Sequence, residues 1–367
     1  MDKEQFIKAV HAIVKEKNIS EEEVFSAMEQ ALITAYKKNF DSKTNVRPVI
    51  DRKTGDVKLI SYMIVVDDYS DMPDPNDENA VEPDHNLDAE VLLDDIREKY
   101  PNAKIGDIIE EEVTPKDFGR VAAGTAKQVI MQKIREAEKN SIIAEFADKQ
   151  DELMVGMLAM EDLKNYYVDL GRTRGILPKD EMIPGEQLKM GSSVKVYITK
   201  VESSTKGPVI LCSRKHYGFV KRLLESEIPE LQDGTIELYS VAREAGIRSK
   251  VALISNNEKV DPIGACIGEK GIRIANILKE LNGEKIDLIK YDTDPVVFIT
   301  NALSPAKNAN VSITSEKDKT ALAIVDDENL PLAIGKKGSN VKLASKLTKY
   351  KIDVKTISQI TEEVNNR

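Results

Sequence analysis

Residues 266–289 read CIGEKGIRIANILKELNGEKIDLI, and residues 333–354 read AIGKKGSNVKLASKLTKYKIDV. The two stretches are copies of one pattern. Each places Ile before Gly-x-Lys-Gly, continues with an amphipathic helical period, and begins a strand at Lys-Ile-Asp. Their first glycines, Gly268 and Gly335, lie 67 residues apart. A bare Gly-x-x-Gly is weak evidence, because 19 glycines in 367 residues produce that spacing by chance. The shared frame of apolar residue, loop, helix and strand is what lifts these two matches above chance.

Two glycines three residues apart let a loop between helices approach a sugar-phosphate backbone with no Cβ in the way. The helix that follows offers its N-terminal N–H groups and its dipole to phosphate. Lys270 and Lys337 add a charge within the loop. This is the physical content of a KH domain, whose Gly-x-x-Gly loop clamps about four nucleotides of a single strand. A tight turn copied by duplication predicts the same glycines, and that reading stays open here. A mononucleotide P-loop needs G-x-x-x-x-G-K-[ST]. The only Gly-Lys pair is Gly335-Lys336, and Leu330 stands where the first glycine belongs. A dinucleotide fingerprint needs a preceding strand and a third glycine, which neither copy has.

Working back along the chain, residues 151–215 hold short apolar runs separated by turn signals: Leu153 to Met160, Tyr166 to Leu170, Arg174 to Leu177, Val194 to Val201 and Val209 to Cys212. Five short strands with Gly and Pro punctuation predict a small OB-fold β-barrel. Tyr166, Tyr167, Arg172 and Arg174 fall on or beside its second and third strands. Strand alternation turns one tyrosine inward and the other outward. An outward ring can stack on a base, and either ring can equally fill the core.

The N-terminal third reads as mixed helix and sheet. Phe6, Ala9, Val10, Ile13 and Val14 make a helical stripe. Ser20 and Glu23 form a capping box, with Ile19 and Val24 placed as a hydrophobic staple. The helix they open carries Val24, Ala27, Met28, Ala31, Leu32 and Ala35 on one face. Val46 to Val66 predicts a hairpin turning near Thr54-Gly55-Asp56, Ile108 to Val113 a short strand, and Phe118 to Phe146 a long helix. Residues 67–88 predict a disordered acidic loop.

Charge is distributed unevenly. The net charge is −10, which by itself disfavours a polyanion partner. Yet Asp67 to Glu98 holds thirteen acids and one base, while Val194 to Arg222 holds seven bases and one acid. Gly335 to Lys351 holds six lysines and no acid. A local basic patch binds a polyanion whatever the total charge. Cys212 and Cys266 are far apart, which excludes a disulfide framework or a CxxC zinc site and fits a reducing cytoplasm. No apolar run approaches the roughly 20 residues of a membrane span, and the N-terminus lacks a signal-peptide pattern. His11, His85 and His216 are scattered. No nucleophile–base pair or metal cluster is visible, so no catalytic residues, metal or cofactor are expected.

A barrel followed by tandem KH copies is an RNA-binding array, and here the chain resembles the NusA family of bacterial transcription termination/antitermination proteins. The stretches that carry the resemblance include VTPKDFGRVAAGTAKQVIMQKIREAE (113–138), GRTRGILPKDEMIPGE, VDPIGACIGEKGIRIANILKELNGEKIDLI, FITNALSPAK and LAIGKKGSNVKLASKL. They imply an α+β multidomain chain. Residues 1–127 would be an N-terminal RNA polymerase-binding domain and 128–150 a linker helix. The OB-fold barrel would span 151–217, the first KH domain 218–300 and the second 301–367. The resemblance implies a monomeric, non-catalytic cytoplasmic factor. It would bind RNA polymerase, nascent single-stranded RNA and other elongation or antitermination factors, and modulate pausing, intrinsic termination and antitermination. Carried over by motif, Gly268, Glu269, Lys270 and Gly271 form one backbone clamp and Gly335, Lys336, Lys337 and Gly338 the other. Arg273 and Lys342 stand where the following helices begin. Tyr167, Arg172 and Arg174 are the barrel candidates. The chain departs from the family at Gly124, at Tyr291 where Trp is usual, and in the length of its acidic loop. The alternative is an RNA-binding component of RNA-processing or ribosome-associated machinery. Residues 1–127 are too short for the catalytic domain a processing enzyme would need.

Overall fold

The computed structural model describes residues 10–11, 14–15, 20–40, 45–67, 89–205 and 207–365. The N-terminal helical stripe, Ile19 of the staple and the acidic loop beyond Asp67 lie outside the described residues, except Val10 and Val14. The chain divides into two compact units, Met1–Ser141 and Ile142–Arg367.

In the first unit, α1 (Glu21–Phe40) begins where Ser20 Oγ accepts the Glu23 N–H at 3.4 Å. Three glutamates in its first turn and two lysines in its last complement the helix dipole. Its buried stripe is Val24, Phe25, Met28, Leu32 and Tyr36. The alanines expected on that face, Ala27, Ala31 and Ala35, are only half-buried. The helix is rotated so that Phe25 and Tyr36 go inside, since a ring removes far more apolar area from water than a methyl. Strands β1 (Val46–Ile50) and β2 (Val57–Val66) form the expected hairpin, closed by Asp51 accepting from the Lys53 and Thr54 amides. β3 (Glu90–Leu92) adds to β2 in parallel and leads into α2 (Leu93–Ile96), and β4 (Ile108–Glu112) pairs antiparallel with β2. The long helix α3 (Phe118–Ala147) supplies Phe118 and Ala122 to a core with Leu32, Tyr36, Val46 and Leu59.

The second unit starts within α3, whose Phe146 is buried in the barrel core. The barrel strands are β5 (Leu153–Glu161), β6 (Asn165–Asp169), β7 (Arg174–Pro178), β8 (Ser193–Ser204) and β9 (Gly207–Ser213). β5 pairs with β6 and β8, β9 with β8 and β7, and the β7–β9 join is parallel. Leu158, Val168, Leu177, Val196, Ile198 and Ile210 fill the interior.

Two αββααβ modules follow. The first comprises α4 (Tyr217–Glu227), a short α5 (Pro229–Gln232), β10 (Ile236–Glu244), β11 (Arg248–Ser255), α6 (Pro262–Ile267), α7 (Ile272–Glu280) and β12 (Lys285–Lys290). The second comprises α8 (Pro295–Ala302), β13 (Asn310–Ser315), β14 (Thr320–Val325), α9 (Leu330–Ile334), α10 (Ser339–Thr348) and β15 (Lys351–Thr356), with α11 (Ile357–Asn365) after it. Each sheet joins its first two strands antiparallel and adds the third in parallel. Each also carries a register shift, early in the first strand at Leu238/Ser240 and at the end of the first strand at Ile313/Ser315. The modules share a core: Ala242, Ala252, Ile289 and Phe298 pack in one cluster with Val311, Ala323, Leu343 and Leu347.

Candidate nucleic-acid interface

Each Gly-x-x-Gly segment turns the chain from a short helix into a longer one, α6 into α7 and α9 into α10. The two turns have the same backbone. Gly268 has φ 72, ψ 177 and Gly335 has φ 73, ψ 172. Lys270 sits at φ 53, ψ 21 and Lys337 at φ 55, ψ 27. Gly271 and Gly338 are left-handed, at φ 74, ψ 16 and φ 77, ψ 13. The first glycine of each pair is in a region open essentially to glycine alone. It also has no room for a side chain: a Cβ on Gly268 would lie 2.7 Å from Arg273 Cγ, and one on Gly335 would lie 2.8 Å from the Asn340 backbone nitrogen. Both glycines are therefore demanded by the turn itself, and their presence does not report on a ligand.

The side chains carry more information. Glu269, Lys270, Lys336 and Lys337 are exposed, and the three lysines make no ion pair among the described residues. Lys342 curls back, its Nζ donating to the Lys337 carbonyl at 3.4 Å. Arg273 plays a bracing part. Its Nη1 donates to Glu230 at 2.7 Å and to the Ala265 carbonyl, three residues before Gly268, at 2.8 Å. In the second module the matching position is Asn340, which sequence reasoning missed. Its Nδ2 donates to the carbonyls of Leu332, Ala333 and Leu303 at 3.0–3.1 Å. Leu332 is again three residues before the first glycine. Superposing the two copies by their glycines would have paired Asn340 with Arg273. What it could not show is that both reach backwards.

On the barrel, Tyr166 packs against the core with Lys179 Nζ 5.2 Å from its ring centre. Tyr167 takes the other face, and its hydroxyl donates to Asp162 at 2.7 Å. That hydroxyl, together with the Lys164 and Asn165 amides, holds the Asp162 carboxyl down at about 2. Arg172 reaches Glu145 at 2.8 Å, a carboxylate already paired with Lys149. Arg174 is exposed at the start of β7. The structure therefore brings each loop set together but leaves Tyr167 engaged with Asp162 of the barrel and Arg172 with Glu145 of α3.

Polar rivets join the barrel to the first module. Arg214 is buried, with its guanidinium on Glu186 at 2.5 and 2.9 Å and on the Glu280 carbonyl at 3.0 Å. The buried Arg243–Glu284 pair, 2.9 Å apart, also ties down the carbonyls of Arg214 and His216. Burial pushes the thiols of Cys212 and Cys266 up to about 12, which removes both as nucleophiles at neutral pH. Among the described residues, no group of three or more His, Cys, Asp or Glu could hold a metal ion. No described helix is long and apolar enough to cross a membrane.

Comparison with known proteins covers the whole array. Residues 5–140 match the NusA N-terminal domain, 161–213 the S1 RNA binding domain, 214–291 the NusA-like first KH domain and 295–362 the NusA-like second KH domain. The transcription termination/antitermination protein NusA of Halalkalibacterium halodurans is 45% identical over 358 residues, covering 98% of this chain and 90% of its own. That of Bacillus subtilis is also 45% identical over 358 residues, covering 98% of this chain and 92% of its own. A solved structure of the N-terminal domain of NusA from B. subtilis covers 37% of this chain and 98% of its own, at 39% identity and a TM-score of 0.30. With relatives this similar along nearly its entire length, and a barrel followed by two KH modules in the order the family has them, the chain belongs to the NusA family of transcription termination/antitermination proteins.

Proposed function

We propose that this protein is a non-catalytic cytoplasmic factor. It contacts RNA polymerase through its N-terminal unit and nascent single-stranded RNA through the barrel and both KH loops, and so modulates pausing, termination and antitermination. The observation that carries the RNA reading is the pair of loops of matching backbone presenting Lys270, Lys336 and Lys337 with no ion pair among the described residues, in modules that share one core. Three cations at the N-terminal sheet are occupied by contrast: Arg47, Lys58 and Lys99 are paired with Glu110, Glu112 and Glu111 on β4. That neutral sheet suits a protein partner better than a polyanion.

Replacing Lys336 and Lys337 by Asp, or Glu269 and Lys270 by Asp, tests the loops. Aspartate tolerates the left-handed position that Lys270 and Lys337 hold, so the turns should persist. The Lys336/Lys337 swap removes two cations and the other only one, so it should weaken RNA binding more. The salt dependence should flatten by about 0.7 log units per lost phosphate contact. Because the two loops are linked, losing one should cost a long RNA on the order of 10²-fold in affinity. Affinity titrations at several salt concentrations, with circular dichroism as the folding control, check this. Unchanged affinity in both folded variants would reduce the motif to a turn. Co-purification with polymerase subunits, and not with ribosomal subunits, is the matching expectation for the N-terminal unit.

A further inference from the structure

Three of the protein's ten methionines lie open to solvent around one stretch of β5. Met157 is 50% exposed, Met160 43% and Met190 48%. By contrast Met28 and Met182 are buried, and Met154 packs against the barrel core. The backbone builds this gathering. Strict alternation along a strand would turn positions 157 and 160 to opposite faces. β5 breaks the alternation with one extra residue: Leu158 pairs with Val168 on β6, and Met160, not Ala159, pairs with Tyr167. Leu158 is buried, while Ala159 and Met160 are both exposed. A bulge of this kind re-aims the side chain that follows it, so Met160 comes out on the face that Met157 already occupies. Two backbone hydrogen bonds add the third methionine. The Gly191 N–H donates to the Leu158 carbonyl at 2.8 Å and the Leu158 N–H to the Ser192 carbonyl at 3.0 Å, which fixes the segment after Met190 against the same point of β5.

The face they share is the one that Tyr167 takes. Register partners on paired strands stand on the same face, which sets Met160 opposite Tyr167 and Met157 opposite Asp169. Val155, also exposed, extends the apolar strip along β5. A thioether is apolar and polarizable and makes favourable contacts with aromatic rings. Beside an outward tyrosine it widens the platform on which a base can rest. It is also an apolar group that two-electron oxidants convert into a polar one.

We propose that Met157, Met160 and Met190 are a peroxide-sensitive modification site, and that their oxidation to sulfoxides loosens the barrel's hold on RNA. The oxidant is hydrogen peroxide. A sulfur lone pair attacks one peroxide oxygen, the O–O bond breaks and an S–O bond forms. The proton on the transferred oxygen passes to the leaving hydroxide, which departs as water. Sulfur loses two electrons and the peroxide gains them. The sulfoxide is polar and favours water over a base, so the strip beside Tyr167 ceases to be apolar. Methionine sulfoxide reductases reverse the step, so the site ties RNA affinity to peroxide level without changing the charge of the protein. The proposal rests on the reading of the barrel as an RNA contact and adds a covalent control that neither KH loop contains.

The full chain is treated with dilute hydrogen peroxide and its oxidised positions are mapped by peptide mass spectrometry. A random-sequence single-stranded RNA of 12 nucleotides is then titrated at several salt concentrations. The triple variant Met157→Leu/Met160→Leu/Met190→Leu and the Lys336/Lys337 swap are treated alike. Leucine is close to methionine in volume and the three positions are exposed, so the triple variant should fold, as circular dichroism checks. In the wild type these three methionines should oxidise before Met28 and Met182. RNA affinity should then fall about tenfold, the order of one stacked base, with the salt slope unchanged because no phosphate contact is lost. Sulfoxide reductases for both epimers should restore it. The triple variant should bind RNA as the untreated wild type does and keep that affinity through peroxide. Normal binding by the oxidised wild type, with binding lost in the loop swap, would overturn the site and leave the RNA reading standing. Normal binding by both would overturn both. An equal loss in the peroxide-treated triple variant would also overturn the site, because the damage would then lie at another methionine, such as the exposed Met131 of α3.

Discussion

Gly335 and Gly338 look interchangeable in the motif, yet the structure gives them different reasons. Gly335 combines φ 73, ψ 172 with a Cβ position 2.8 Å from the backbone nitrogen of Asn340. Gly338 is left-handed but faces open space, with Lys342 Cε no nearer than 3.6 Å. Gly338→Ala should therefore cost only the left-handed penalty, about 1–2 kcal/mol. Gly335→Ala adds a clash with main chain that cannot swing aside and should cost more, about 3 kcal/mol or above. Denaturant midpoints of the two variants check the order. Gly338→Asn, with a side chain suited to the left-handed region, should be nearly neutral. The same reasoning separates the loop's roles. Glycine serves the turn, the exposed lysines are available to a polyanion, and Arg273 and Asn340 hold the turn against the preceding helix.

At the scale of elements, α3 contains Gly124 within a 30-residue helix. That position is exposed, has a negative φ, and nothing lies within 4 Å of where a Cβ would be. Gly124→Ala should stabilise the protein by about 1 kcal/mol through helix propensity alone, read as a rise in melting temperature with unchanged RNA affinity. A loss of stability would mean that a contact outside the described residues occupies that face. The strands of the barrel fell where Gly and Pro punctuation put them, because a half-buried strand writes its alternation directly into the sequence. The α1 face was misread by a rotation of the helix. Small alanines match the apolar period as well as large side chains do, and only packing against Ala126, Phe118 and Leu59 decides which face turns inward.

At the scale of the molecule, the RNA-binding half depends on its seams. At the barrel seam, His216 caps α4 by accepting the Gly218 N–H on Nδ1 at 3.1 Å and stacks on Tyr197 with ring centres 5.0 Å apart. Burial holds its pKa below the ordinary value of 6.5, with Arg243 adding to the effect while Glu181 and Asp151 oppose it. Protonation would turn the capping acceptor into a donor. A base whose folded pKa is depressed contributes nothing pH-dependent above 6.5, where both states are neutral. As pH falls through 6.5 toward the lowered value, the unfolded chain takes up the proton first and folding stability declines. Melting temperature should therefore drop between about pH 7 and pH 5.5. His216→Asn should flatten that slope, since asparagine can cap the helix without titrating. An identical slope in the variant would assign the effect to other groups.

The sequence alone determined the repeat, the five-strand barrel, the long helix and the loop lysines, because each is local: a period, a turn signal or a short motif specifies it. It also led, through those motifs, to the NusA family. Tertiary structure alone decided how the pieces act on one another. Arg273 and Asn340 share a job that no common chemistry advertises, because what they share is a carbonyl three residues before a glycine. Arg172 is a cation in the sequence but a partner of Glu145 in the fold, 27 residues away in the chain. Lys285 and Lys336 stand 51 positions apart in the sequence and line one cleft because the two modules share a core. Local chemistry is written residue by residue, whereas the meeting of distant charges depends on how two hydrophobic faces pack.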